Sequence, residues 1–282
     1  MGSFELVTPA SEEEAIAWLA RAPGGEAAVL AGGTDLLNDI EEHRITPRHL
    51  LSLRRLPWNR WNWIGPALEV GSTTPLVDLE YDPKVRAQFP GLVTAIEAVG
   101  SVALRSRATL GGNLGRSGSA SDLIPLLLAL DASAEIVGPK GVRTTPVDTL
   151  VVASRRPALG AGELIRSVRL PEPRPSAYLW QRIRPAQDIS HVGVAVAWSP
   201  ADGRWRIAVG GVPPRAIRIH PEAAELPPRP SSPELGAAAR RAAELLPLST
   251  DLRATGEYRR HVVHALVLRA VGSVTAMREG SA

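Results

Sequence analysis

Cysteine is absent from this 282-residue chain. The absence excludes disulfide bonds, a thiolate nucleophile, and any zinc ion or iron–sulfur cluster held by cysteines of this polypeptide. At 44% hydrophobic and 22% charged residues, the composition is that of an ordinary globular protein. A chain of this length buries a sizeable core without covalent staples, and it suffices for one large domain or two ordinary ones.

Long hydrophobic runs are also absent. The longest, at residues 123–130, is interrupted by Pro125 and is too short to cross a bilayer. The first residues read MGSFE and lack the basic-then-apolar pattern of a secretory signal. Leu6 stands where a myristoylation motif requires serine or threonine. We therefore expect no membrane span and a cytoplasmic location.

Lysine is scarce, although the chain is basic. Lys84 and Lys140 are the only lysines among 32 basic residues, so the other 30 are arginines. They raise the pI to 9.8, but the formal net charge is only +3, too small to indicate a nucleic-acid surface. Trp58, Trp61 and Trp63 could stack on bases, but packed aromatics beside a strand fit the weak charge better.

Common nucleotide-binding and catalytic motifs are missing as well. The chain contains no GxGxxG, no Walker A and no GxSxG motif, which argues against a Rossmann dehydrogenase, a P-loop enzyme and a common esterase. His261 and His264 lie three residues apart, a spacing that suits metal ligands on a helix. No third ligand is evident, however, and Arg259 and Arg260 would repel a cation. We expect no metal site.

The order of predicted elements is typical of an α/β protein. The first third reads strand, helix, strand and glycine turn, and Ser11 caps the early helix at residues 11–20. A second capped helix follows Ser121, with Pro125 in its first turn. The proline-rich stretch at residues 171–175 is the best linker. Beyond it, strands at 192–198 and 205–209 pair, and helices at about 232–246 and 256–277 close the chain.

Two glycine turns could hold a phosphate group. The first, at residues 31–35, reads AGGTD, and the second, at 109–113, reads TLGGN. Paired glycines let backbone N–H groups approach a phosphate closely, and successive N–H groups form an anion-binding concavity. Thr34, Thr109 and Asn113 could add hydrogen bonds, while Asp35 would face away or toward a hydroxyl. Taken singly, either pair is better explained as the end of a strand.

The wider pattern resembles the FAD-binding subunit of the molybdenum hydroxylases, the family of xanthine dehydrogenase and carbon monoxide dehydrogenase. The resemblance covers nearly the whole chain, and several ordered matches are far more specific than one. The matching segments are residues 29–37, 69–74, 105–114, 119–132, 163–171 and 249–261.

The resemblance implies an α/β (α+β) fold with two domains. Residues 1–171 would form a two-lobed FAD-binding domain of the PCMH/vanillyl-alcohol-oxidase-like type, with lobes at about 1–56 and 57–171. Residues 176–282 would form a smaller α+β C-terminal domain. The cofactor would be FAD, which takes electrons from [2Fe–2S] clusters of a small subunit and passes them to an external acceptor. A large subunit would hydroxylate the substrate at a molybdenum cofactor. The absence of cysteine agrees, since the clusters must then lie on another polypeptide.

The resemblance also implies the cofactor-binding residues and no catalytic acid or base. Both glycine turns would hold the pyrophosphate and ribityl chain, Asp122 would contact the flavin, and Ile165 would lie near its ring. Trp180 replaces a lysine of many relatives and could stack on or wall the flavin, but it cannot donate a charged hydrogen bond. The implied set is Leu30, Ala31, Gly32, Gly33, Thr34, Asp35, Leu36, Thr73, Thr109, Gly111, Gly112, Asn113, Asp122, Ile165 and Trp180.

Two alternatives remain open. A stand-alone FAD-dependent oxidoreductase would act directly on a small molecule and would need a proton donor over the flavin, for which Tyr178 and His191 are candidates. An interaction protein that has lost FAD is the other alternative, and the intact glycine pairs argue against it.

Overall fold

The computed structural model describes residues 4–185 and 187–280. The ends of the two predicted domains, residues 1–3 and 281–282, lie outside the described residues.

A parallel three-stranded sheet forms the N-terminal lobe, with strand order β1-β3-β2. The predicted helix cap is confirmed, because the Ser11 hydroxyl accepts a hydrogen bond from the Glu14 N–H at 3.2 Å. Ala15 of α1 packs with Leu51 of β3 in a small core that also contains Trp58. The elements are β1 (Glu5–Val7), α1 (Glu12–Arg21), β2 (Ala27–Leu30), α2 (Leu36–Glu41) and β3 (His49–Ser52).

The second lobe is an antiparallel sheet covered by short helices. Its elements are β4 (Trp61–Ile64), β5 (Ala67–Gly71), α3 (Leu76–Tyr81), α4 (Pro83–Gln88), α5 (Pro90–Ala98), α6 (Val102–Arg105), α7 (Leu110–Arg116), α8 (Leu123–Ala129), β6 (Ser133–Gly138), β7 (Gly141–Pro146), α9 (Val147–Leu150), β8 (Val151–Ala153), β9 (Arg156–Pro157) and β10 (Leu164–Leu170). The five-stranded sheet has the order β4-β5-β10-β6-β7. Trp61 and Trp63 belong to β4 and pack against the core of this lobe, as the packing interpretation predicted.

A four-stranded antiparallel sheet and two long helices form the C-terminal part. Its elements are β11 (Ser176–Gln181), β12 (Val192–Ser199), β13 (Arg204–Gly210), β14 (Ile217–Ile219), α10 (Pro221–Ala224), α11 (Ser232–Glu244) and α12 (Gly256–Gly280). The predicted β12–β13 pair is confirmed, with Trp198 opposite Trp205. In the described residues, no helix is long and apolar enough to cross a membrane.

Strand β12 is buried along its whole length because both faces of the C-terminal sheet are covered. Side chains alternate between the faces of a strand. Val194 and Val196 pack with α11 and α12, whereas Ala195 and Ala197 join the core of the second lobe. The small alanines let α8 approach this sheet closely, so the C-terminal part lies directly against the helix that follows the second glycine segment.

Candidate cofactor site

The two glycine segments lie against each other. A Cβ atom on Gly32 would overlap the backbone of Arg107, lying 2.7 Å from its carbonyl carbon and 3.2 Å from the Cα of Ala108. A Cβ on Gly112 would lie 3.6 Å from the Cβ of Ala31. Glycine at residue 32 therefore permits a close backbone crossing.

The first segment is a tight turn between β2 and α2. Gly33 has a φ of 81°, which favours glycine, and its carbonyl accepts a hydrogen bond from the Leu37 N–H at 2.9 Å. The side chains of Leu30 and Leu37 pack beneath Gly33. The turn thus places backbone at the open end of the parallel sheet.

The second segment begins helix α7, which differs from the turn that the sequence predicts. Thr109 is extended and caps the helix, because its hydroxyl accepts a hydrogen bond from the Gly112 N–H at 3.0 Å. Glycine is a poor helix former, so propensity favours a turn here. Close packing overrides it, since a Cβ on Gly111 would lie 2.6 Å from the Ser72 carbonyl oxygen.

A cleft of about 450 Å³ opens between the lobes, a size usual for cofactor sites. Both glycine segments line it, and the apolar side chains of Val99, Leu104 and Leu159 form other parts of its wall. The predicted residues that line it are Ala31, Gly32, Gly33, Thr34, Asp35, Leu36, Thr109, Gly111, Gly112, Asn113 and Ile165.

Four predicted residues are not part of this lining, as far as the described residues define it: Leu30, Thr73, Asp122 and Trp180. Leu30 packs beneath the first turn. Trp180 stacks on Tyr178 with ring centroids 5.6 Å apart, and the Arg182 guanidinium lies 5.0 Å from the Trp180 ring. Trp180 therefore has two protein partners, an aromatic ring and a guanidinium group.

Ser72 and Thr73 carry buried hydroxyl groups that have no hydrogen-bond partner among the described residues. Ser72 also lines the cleft, although the sequence predicts no role for it. Buried polar groups are normally paired, so an orphaned hydroxyl beside a cleft indicates a polar ligand. The sequence feature that could have identified Ser72 is its position beside Thr73 in the matching segment 69–74.

A carboxylate surrounded by three arginines forms another part of the cleft wall. Asp39 accepts hydrogen bonds from Arg44 Nη1 at 3.1 Å, Arg116 Nη1 at 2.6 Å and Arg155 Nη2 at 2.7 Å. Burial alone would raise the pKa of Asp39, but the Arg44 hydrogen bond and the charges of Arg116 and Arg155 hold that pKa below its ordinary value. Asp39, Arg116 and Arg155 line the cleft. Arg44 also pairs with Glu42, and Arg116 lies 3.8 Å from Asp35, so the cluster is a network of ion pairs that holds Arg116 and Arg155 in place. The sequence does not reveal this cluster, because Arg116 and Arg155 lie 77 and 116 residues after Asp39.

Asp122 points toward the C-terminal part. Its Oδ1 accepts hydrogen bonds from the Tyr178 hydroxyl and the Ser190 hydroxyl, both at 2.6 Å. Burial raises the pKa of Asp122, and the two hydrogen bonds oppose that rise. The pKa of Tyr178 is raised well above its ordinary value by burial and by the Asp122 charge. Tyr178 and His191, the candidate proton donors, are absent from the described lining of the cleft.

The chain is similar to known proteins along nearly its whole length. A family model described as "FAD binding domain in molybdopterin dehydrogenase" matches residues 2–173, and one described as "CO dehydrogenase flavoprotein C-terminal domain" matches residues 177–274. The carbon monoxide dehydrogenase medium chain of Hydrogenophaga pseudoflava is 28% identical over 280 residues, 97% of each chain. The nicotine 6-hydroxylase medium subunit of Paenarthrobacter nicotinovorans is 30% identical and covers 95% of this chain and 96% of its own.

Solved structures of similar proteins superpose on 98% of this chain. A carbon monoxide dehydrogenase from Hydrogenophaga pseudoflava superposes with a TM-score of 0.89 at 28% identity, covering 98% of both chains. Quinoline 2-oxidoreductase from Pseudomonas putida 86 superposes with a TM-score of 0.88 at 26% identity, also covering 98% of both.

Proposed function

Because the chain belongs to the family of FAD-binding subunits of molybdenum hydroxylases, we propose that it carries electrons through FAD between two partners of an enzyme complex. It is an oxidoreductase subunit and its cofactor is FAD. When bound, FAD accepts and releases electrons. The protein supplies binding, orientation and the electrostatic surroundings of the cofactor.

One observation carries the proposal: two glycine segments from distant parts of the chain cross at one cleft. Gly32, Gly33 and Gly111 let the two segments and their neighbours pack closely, and Gly112 would leave backbone free to approach the pyrophosphate, because little fills the space of its missing side chain. Thr34, Asn113 and the orphaned hydroxyl of Ser72 line the cleft and would bind phosphate oxygens or ribityl hydroxyls. Ile165 and the apolar wall would exclude water from the flavin ring.

The arginine cluster around Asp39 complements this arrangement. FAD carries negative charge on its pyrophosphate, and Arg116 and Arg155 line the same cleft. Asp39 fixes both guanidinium groups, so little side-chain entropy is lost when an anion binds beside them. The two ordered guanidinium groups would therefore raise the affinity for FAD.

The partners in this proposal are a small subunit with [2Fe–2S] clusters, which donates electrons to FAD, and a large subunit with the molybdenum cofactor. Two observations support it. Relatives that match along nearly their whole length are named medium chain or medium subunit. In addition, the chain has no cysteine with which to hold a cluster itself. Substrate recognition would belong to the large subunit.

The test is a titration of the purified full-length chain with FAD, followed by its visible absorption and flavin fluorescence. We expect saturable FAD binding and much weaker FMN binding, because the two glycine segments would bind the pyrophosphate, which FMN lacks. Equal binding of FMN would contradict the role of the two glycine segments. Rapid reduction of the bound flavin by a reduced [2Fe–2S] partner subunit is expected next, and failure of that step would contradict the electron route.

A further inference from the structure

Residues 117–122 form the loop between α7 and α8, and the C-terminal part holds this loop at its centre. The Gly211 N–H donates a hydrogen bond to the Ser119 carbonyl at 2.7 Å. Arg259 Nη1 in turn donates to the Gly211 carbonyl at 2.7 Å, which fixes that strand end. A Cβ on Gly210 would lie 3.2 Å from the Ser121 carbonyl oxygen, so the two backbones are in direct contact.

The same loop reaches the cleft through Ser121. Its hydroxyl donates to Asn113 Oδ1 at 2.7 Å and accepts from the Leu123 and Ile124 N–H groups, each at 3.2 Å. The predicted cap of α8 is thereby confirmed. Asn113 lines the cleft. With Oδ1 occupied by Ser121, the Nδ2 group of Asn113 is left to donate to a ligand.

The end of the loop depends on two hydroxyl donors of the C-terminal part. Tyr178 and Ser190 both donate to Asp122 Oδ1 at 2.6 Å. A buried carboxylate without such donors would be strongly disfavoured. Tyr178 reaches Asp122 only because residue 193 is glycine, since a Cβ there would lie 2.9 Å from the Tyr178 Cζ and closer still to its hydroxyl.

We propose that Tyr178 and Ser190 are positioning residues for FAD. By holding Asp122 they fix the loop 117–122, and the loop orients Asn113 and the second glycine segment toward the cofactor. This inference rests on the proposed function, since FAD binding is its readout. The C-terminal domain would thus help to form the cofactor site, although Tyr178 and Ser190 do not line the described cleft.

A second interdomain tie at the far end of α8 provides a matched control. Asp131 accepts hydrogen bonds from Arg174 Nη1 at 2.8 Å and from Arg218 Nη1 at 2.6 Å. Arg218→Gln weakens the attachment of the same domain without changing any hydrogen bond of the loop 117–122. A purely structural role of Tyr178 predicts that the two variants behave alike.

The experiment measures the FAD dissociation constant of the full-length chain by quenching of flavin fluorescence. Tyr178→Phe keeps the ring stacked on Trp180 and removes one donor, so FAD should bind about tenfold more weakly, the effect of one hydrogen bond to a charged group. Arg218→Gln should lower the melting temperature and leave the dissociation constant unchanged. In an Asn113→Ala background, Tyr178→Phe should have a much smaller effect, because the residue through which it acts is gone.

Amide hydrogen exchange supplies a second readout. Residues 109–122 should exchange faster in Tyr178→Phe than in Arg218→Gln. If the unaltered chain binds FAD, and Tyr178→Phe has the same FAD affinity and the same amide exchange as the unaltered chain, the inference is overturned and the proposed function stays intact. An unaltered chain that fails to bind FAD at any concentration would overturn both. If Tyr178→Phe does not fold, Ser190→Ala provides the same comparison.

Discussion

The backbone of Gly32 crosses that of Arg107 so closely that no side chain fits between them. The obstacle is a carbonyl group, which no change of rotamer can move. We predict that Gly32→Ala lowers the free energy of unfolding by about 1–3 kcal/mol, the usual cost of overpacking. It should also weaken FAD binding, because the two glycine segments must separate. Urea denaturation and an FAD titration check both, and unchanged stability would contradict the observed crossing.

Gly112 should behave differently. A Cβ there meets only the movable Thr109 hydroxyl at 2.9 Å and the Ala31 methyl at 3.6 Å. Gly112→Asp should therefore fold, yet lose FAD binding because a carboxylate enters the space for the pyrophosphate. Gly236→Asp is the control, since it makes the same substitution in helix α11 where nothing lies within 4 Å of the new Cβ. Unchanged FAD affinity in Gly112→Asp would remove the second segment from the site.

Asp39 should contribute to the stability of the fold. Asp39→Asn removes the carboxylate that pairs with Arg155 and the nearer of the two that pair with Arg116, and so weakens the attachment of α2 to the second lobe. We expect a loss of about 1–3 kcal/mol of unfolding free energy. Asp148→Asn removes a partly exposed partner of Arg215 and should cost less than about 1 kcal/mol. Equal losses in the two variants would contradict a special role for Asp39.

Protonation of Glu163 at low pH should lower the stability of the folded chain. Its carboxylate accepts two hydrogen bonds from Arg143 and one from the Gly160 N–H. The Arg143 hydrogen bonds lower the pKa of Glu163 to about 2 from an ordinary value of 4.5. The unfolded chain therefore binds more protons between these values, so the contribution is complete above pH 4.5 and is lost as pH falls toward 2. Stability of Glu163→Gln, measured by urea denaturation across this range, should depend less steeply on pH.

Local signals in the sequence predicted much of the fold. Ser11 and Ser121 cap the helices that they precede, and the β12–β13 pair lies where alternation placed it. Such features depend on neighbouring residues, so sequence order is sufficient to find them. Strand β11 was missed, because its residues follow directly on the proline-rich linker and its pairing partner β12 lies beyond a long loop.

The site was only partly predictable for a different reason. Both glycine segments are visible in the sequence, but their mutual contact is a tertiary relationship. The direction of Asp122 was unpredictable, since its partner Tyr178 lies 56 residues later. The same holds for Asp39 and Arg155, which are 116 residues apart. The role of each predicted residue toward FAD stays a prediction until affinities are measured.

The dependence of the loop 117–122 on later residues has a consequence for biosynthesis. Ser190 is synthesised 68 residues after Asp122, which takes roughly 3–14 s at ordinary translation rates. During that interval both glycine segments have been synthesised, but the Ser190 hydroxyl that bonds Asp122 is still missing. If the loop orients Asn113 as proposed, we expect the ribosome-bound chain to bind FAD weakly until the C-terminal sheet has folded against it. A chain that ends at the proline-rich linker contains both glycine segments, and we expect it to bind FAD more weakly than the full-length chain.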